Sequence, residues 1–177
     1  IPLTKELSGK VVAYQEATVT PQVSGIIDRR LFREGTFVKQ NQPLYQINTD
    51  SYTSVLAGSR ASLDQSLASV NTAKANYNNA LAVLETRQAE LALAQTNLNR
   101  LKQLRGTEAI SSQEYDQGAT AVRTAQAAVK NAQAQVGVAQ ANIDAAQAAA
   151  RGAQQSVNSN QLTMSRTVVK APISGIT

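Results

Sequence analysis

Apolar residues recur at every seventh position along two long stretches of the chain. Counting from Leu56, the positions are Leu56, Leu63, Val70, Tyr77, Leu84, Leu91 and Leu98, all large and apolar. Counting from Tyr115, they are Tyr115, Val122, Val129, Val136, Ile143, Ala150, Val157 and Met164. A seven-residue repeat without insertions is the mark of helices wound in a left-handed supercoil. No proline interrupts residues 44–171. The pattern therefore predicts a first helix over about 48–105 and a second over about 112–166, joined by a short turn at 106–111. Asn48 is placed to cap the first helix, with Thr49, Asp50 and Ser51 in its first turn.

The second helix carries two further rows. Three residues beyond the apolar positions stand Ala125, Ala132, Ala139, Ala146 and Ala153, each followed by Gln126, Gln133, Gln140, Gln147 and Gln154. Alanine in the second seam row lets two helix backbones approach closely, which predicts a thin pair rather than a thick bundle. The short connection makes the pair antiparallel. If facing residues sum to about 220, each large residue of the first helix finds a partner: Leu98 with Val122, Leu91 with Val129, Leu84 with Val136, Tyr77 with Ile143, Val70 with Ala150, Leu63 with Val157 and Leu56 with Met164. A slip of half a heptad satisfies the pattern too. At 1.5 Å per residue, each arm of about fifty residues is roughly 75 Å long.

The flanks read differently. "GKVVAY", "ATVTP", "VSGII" and "PLYQI" within residues 1–47, and "TVVKAPISGIT" at 167–177, are short β-branched or aromatic runs punctuated by Gly, Pro, Asn and Gln. Glu34-Gly35 and Gln40-Asn41-Gln42 mark turns, the second with Asn41 suited to a left-handed conformation. "PQVSGII" at 21–27 resembles "APISGIT" at 171–177, as two copies of one β-unit separated by the helices. An antiparallel hairpin returns its ends to one place, so the two β-pieces are expected to pair into a small sandwich. The fold class is thus mostly α with a small β part.

Composition narrows the chemistry. Among 177 residues there is no Cys and no His, which removes thiol chemistry, most zinc sites and the usual general base. No cofactor or metal site is expected. The acidic residues offer no convincing pair, since Glu114 and Asp116 are two apart on a helix and diverge; catalysis is not expected. The net charge of +5 is scattered, its densest groups being Arg29, Arg30, Arg33 and Arg100, Lys102, Arg105 without an aromatic platform. That argues against a nucleic-acid partner. No run of about twenty apolar residues is present to span a membrane. Starting on strand-like sequence and stopping just after a glycine turn, the chain reads as a piece of a longer protein.

One stretch, "NRLKQLRGTEAISSQEYDQ" at 99–117, breaks the helical pattern. Ser111-Ser112-Gln113-Glu114 spells a capping box, with Ile110 and Tyr115 as a hydrophobic staple across it. Cations end the first helix and anions start the second, each on the side the helix dipole favours. Gly106 suits the residue that ends a helix. Turn chemistry leaves Arg100 and Leu104 over, since neither lies in the Leu56 row.

"AYQEATVTPQVSGIIDRRLFREGTFVKQNQPLYQIN", "LRGTEAISSQEYDQ" and "APISGIT" together resemble the periplasmic adaptor, or membrane fusion protein, family of RND-type tripartite multidrug efflux pumps. The resemblance implies a first lipoyl half-motif at 1–47, an α-helical hairpin at 48–166 inserted in a lipoyl/biotinyl-like β-sandwich, and the start of the second half-motif at 167–177. It implies a β-barrel, a membrane-proximal domain and a lipid or signal segment outside these residues. The family's tip motif is Arg, then Leu four residues on, then Ser seven further. Arg100, Leu104 and Ser111 fit it, and so inherit the expected role of docking a TolC-like outer-membrane channel. The chain departs from the family in lacking glycine at Gln40-Asn41-Gln42, and in a hairpin about two heptads per arm longer.

What the resemblance implies is a non-catalytic adaptor of the Gram-negative periplasm, anchored at the inner membrane. It would join an inner-membrane RND transporter to an outer-membrane channel, as a trimer or hexamer. Two other readings compete. Adaptors of ABC, MFS or type I secretion exporters share these parts. A lipoyl or biotinyl carrier would need a lysine at the exposed turn between its β-halves, where this chain has the hairpin.

Overall fold

The computed structural model describes residues 9–105 and 111–177, and at Arg105 the backbone alone. Along the chain run β1 (Ile27–Arg30), β2 (Phe37–Val38), β3 (Pro43–Ile47), α1 (Asp50–Arg105), α2 (Ser112–Ser165), β4 (Val168–Lys170) and β5 (Gly175–Ile176). The chain divides into a β unit, made of residues up to 56 with 159–177, and a helical unit of residues 57–158. Among the described residues, no helix is long and apolar enough to cross a membrane.

In the β unit, β3 is the central strand. It pairs antiparallel with β1 on one side and β4 on the other, while β2 pairs antiparallel with β5 in a second, two-stranded sheet. Strand sequence from before the helices thus pairs with strand sequence from after them. Backbone bonds tie the same segments: Asn41 N–H donates to Ala171 O (2.8 Å), Ala171 N–H to Gln42 O (2.9 Å) and Gly35 N–H to Thr177 O (2.7 Å). Val38, Leu44 and Ala171 form a small buried cluster with Phe32 and Tyr45 against it. The two rings meet edge to face at 5.2 Å.

The turns follow their residues. Asn41 has φ 65° and Gly35 φ 73°, the left-handed region that Asn and Gly enter at least cost. The two Ser-Gly-Ile segments hold their glycines for different reasons. A Cβ on Gly25 would stand 2.5 Å from Ile47 Cγ2, whereas one on Gly175 would meet nothing within 4 Å. Gly25 is therefore a close-approach position, and Gly175 is a strand residue opposite Val38.

The expected strands in "GKVVAY" and "ATVTP" do not form: residues 9–26 hold no strand. Val11, Val12 and Tyr14 are 98%, 72% and 99% exposed. β-Propensity is a preference for a half-buried pleated surface, and it acts only where a neighbouring strand supplies that surface.

At the start of α1, Asn48 Oδ1 accepts from Asp50 N–H at 3.1 Å, and the helical ladder opens with Thr53 N–H to Thr49 O at 2.8 Å. Every member of the Leu56 row and of the Tyr115 row is buried or half-buried. The alanine row on α2 lies inside too, with Ala132 and Ala139 buried. Gln126, Gln133, Gln140 and Gln154 are exposed; Gln147 is half-buried. The antiparallel register shows at Gly118, where an added Cβ would lie 2.9 Å from Leu101 Cδ1 and 3.4 Å from Leu98 Cδ1. That is the predicted register to within one helix turn.

The first helix has a second seam row that the sequence pattern obscured: Ser59, Ser66, Ala73, Ala80, Arg87, Ala94 and Leu101. All but Arg87 are buried or half-buried. Two serines, three alanines, one arginine and one leucine fill it, so no single chemical class marks the row.

Candidate functional site

The ends of α1 and α2 that approach each other in sequence carry the candidate site. On α2 the capping box is formed. Ser111 Oγ accepts from Glu114 N–H at 3.3 Å, and Glu114 Oε2 accepts from Ser111 N–H at 3.1 Å. Each satisfies a backbone donor that a helix start leaves without a partner. Glu114 also lies in the first turn, where the helix dipole favours a carboxylate. The side chain of Ser111 is thus committed to the turn. Ile110 of the expected staple and Gly106 of the expected helix stop lie outside the described residues.

On α1, Leu98 and Leu101 turn inward against Gly118. Arg100 and Leu104 do not: Arg100 is exposed and Leu104 is 41% exposed. Four residues apart, they share one face of the helix. Lys102 is exposed nearby, so the last turns of α1 present cations where the dipole favours them. The three residues matching the tip motif therefore differ in kind. Two are exposed on the α1 face, and the third is exposed while holding the cap.

The same face of α1 carries a residue that the sequence reading passed over. Leu93 is 63% exposed, the most exposed large apolar side chain described on α1. It stands seven residues before Arg100 and eleven before Leu104, on the same helical stripe. With Ala94, Asn97 and Leu101 it lines a cleft whose other wall is Glu114, Gln117, Gly118 and Ala121. Its absence from the Leu56 row was the available signal. Among the described residues no group of three or more His, Cys, Asp or Glu could hold a metal ion. The arrangement presents a cationic and aliphatic face at the end of a helix pair.

Known proteins are similar to this chain in sequence. Residues 76–146 match the family "RND MFP, alpha-helical hairpin domain". The chain is 37% identical over 127 residues to the multidrug efflux pump subunit AcrA of Escherichia coli K12, covering 72% of this chain and 27% of that one. It is 37% identical over 170 residues to the multidrug export protein AcrE of the same strain, covering 96% and 33%. It is 40% identical over 173 residues to the antibiotic efflux pump periplasmic linker protein ArpA of Pseudomonas putida, covering 98% and 32%. The chain spans no more than about a third of the length of these curated relatives. With a capped antiparallel helix pair, a small β part joining its flanks and these relatives, the chain carries the α-helical hairpin domain of RND membrane fusion proteins and is similar to the periplasmic efflux adaptors of that family.

Proposed function

We propose that the protein is a non-catalytic periplasmic adaptor that joins an inner-membrane RND transporter to a TolC-like outer-membrane channel, and that Arg100, Leu104 and Ser111 at the hairpin tip dock the channel. The observation that carries this reading is the exposure of Arg100 and Leu104 on one face of α1, near the end of that helix. A guanidinium supplies up to five donors in a planar fork, suited to carboxylates or carbonyls at a helix end. A leucine beside it supplies the apolar contact. Ser111 contributes through the cap, which holds α2 in place and presents its hydroxyl at the surface.

On this reading the β unit is part of a lipoyl-like sandwich, and the exposed glutamines of α2 suit side-by-side packing of hairpins in a trimer or hexamer. The relatives named as periplasmic linkers support a periplasmic location, with anchoring at the inner membrane by a segment outside these residues.

The test is Arg100→Asp and Leu104→Asp in the full adaptor. Channel docking, read by crosslinking in cells and by export-dependent growth, should fall about tenfold or more for each, while helicity and melting stay unchanged. Undiminished docking in both variants defeats the proposal.

A further inference from the structure

Burial along the helical unit is uneven, and the unevenness has a boundary. Val70, Ala73, Ala132, Ala139, Ile143, Ala150 and Val157 are all buried at 9% exposure or less. From Ala132 toward the tip on α2, and from Ala73 toward the tip on α1, no further described residue is buried; the seam residues Leu91, Ala94, Leu98, Leu101, Val122, Ala125 and Val129 are half-buried. The last buried residue of α2, Ala132, falls opposite Arg87 on the register predicted from the heptads.

Arg87 occupies a seam position of α1, between Ala80 and Ala94. A guanidinium cannot enter an apolar seam without a partner for its charge. Here the partner is on the same helix: Arg87 Nη1 donates to Glu90 Oε1 at 3.0 Å and Oε2 at 2.8 Å. The pair keeps the charge at the edge, with the Arg87 side chain 46% exposed. The seam row is thus left without an apolar side chain at this one position, between Ala80 and Ala94. Tip-ward of this point a cleft runs between the helices. One part is lined by Arg87, Glu90, Ala121, Thr124, Ala125 and Ala128, and the next by Leu93, Ala94, Leu101 and Gly118; the two parts share Glu90, Gln117 and Ala121.

From the charged seam residue, the break in burial and the continuous cleft, we infer that Arg87 with Glu90 is an opening boundary. Tip-ward of it, segments 91–104 and 115–129 separate and re-close as one cooperative unit, while 63–80 and 136–157 stay closed. Local opening follows the density of buried apolar contact; full burial ends on α2 at Ala132, facing Arg87, and on α1 already at Ala73, two heptads before it. The inference holds whichever partner the tip meets, because it concerns the contact of α1 with α2.

Amide hydrogen exchange on the full-length adaptor tests it, with Arg87→Leu and Arg87→Lys alongside. In the native protein, 91–104 and 115–129 should exchange faster than 63–80 and 136–157, with the change falling near 87 and 132. Arg87→Leu, which supplies the missing apolar side chain, should slow tip-ward exchange on the order of tenfold and leave 63–80 as it was. Arg87→Lys should behave as native. Uniform protection along both helices, or tip-ward exchange untouched by Arg87→Leu, overturns the inference. Should the leucine variant misfold, spin labels decide. A pair at Asn99 and Ala121 should give a broader distance distribution than a pair at Gln65 and Gln154, and equally narrow distributions also overturn it.

Discussion

In the β unit, Gln40 bonds through its amide to Ser174 and through its side chain to Pro172, more than 130 positions along the chain. In the helical unit, side-chain bonds such as Gln140 to Asp144 and Gln154 to Asn158 close within one turn of one helix. The buried cluster of the β unit is small, with Val38, Leu44 and Ala171 drawn from both flanks of the hairpin. The seam of the helical unit is long and shallow, built from one repeated contact. A small core drawn from remote segments concentrates its stability in few side chains, while a repeated seam spreads it thinly. The same substitution should therefore weigh differently in the two places.

The sharpest contrast is between two leucines. Leu44→Ala removes a side chain only 4% exposed and should cost about 3 kcal/mol. Leu91→Ala removes a half-buried one and should cost about 1 kcal/mol. Denaturant unfolding followed by near-ultraviolet and far-ultraviolet dichroism reads both; equal costs would erase the distinction. A smaller effect is expected at Ser111→Ala, which leaves the Glu114 amide without its acceptor and should cost about 1 kcal/mol. Unchanged stability there would mean that water replaces the cap without loss. The smallest is at Gly118→Ala. Helix propensity favours alanine by about 1 kcal/mol, but the new Cβ would press Leu101 Cδ1 from 2.9 Å. That atom ends a flexible side chain, and the opposing terms should leave a net change within about 0.5 kcal/mol. A loss of several kcal/mol would show that the helices cannot give way at this point, which contradicts a loosely closed tip.

The legibility of the two regions follows the same divide. The heptad rows could be counted because each helical position repeats its environment every two turns, so the fifteen residues of the Leu56 and Tyr115 rows confirm one another. The capping box at Ser111 and Glu114 was readable for a local reason, since both partners lie within four residues. So was the left-handed turn at Asn41. Strand formation was not readable in this way. "VVAY" and "PLYQI" look alike as sequence, yet only the second lies between two other strands. At the candidate site, the motif spacing drew attention to Arg100 and Leu104, whereas Leu93 was marked in the sequence only by standing outside the Leu56 row, and its 63% exposure sets it apart in the structure. Arg87 looked like any surface cation, because the second seam row of α1 has no consistent residue type to reveal that one member is charged.

The sequence by itself determined what depends on neighbours in the chain: two long helices, their antiparallel apolar seam, the cap that restarts α2 and the turn chemistry of the β flank. These follow from local hydrogen bonding and from a period that α-helix geometry imposes. Only the tertiary structure decided which β-branched runs became strands, why Gly25 has to be glycine beside Ile47, and where full burial of the seam stops, at Ala73 on α1 and Ala132 on α2. Those depend on what another segment brings within a few ångströms, and burial is a property of the pair rather than of either residue.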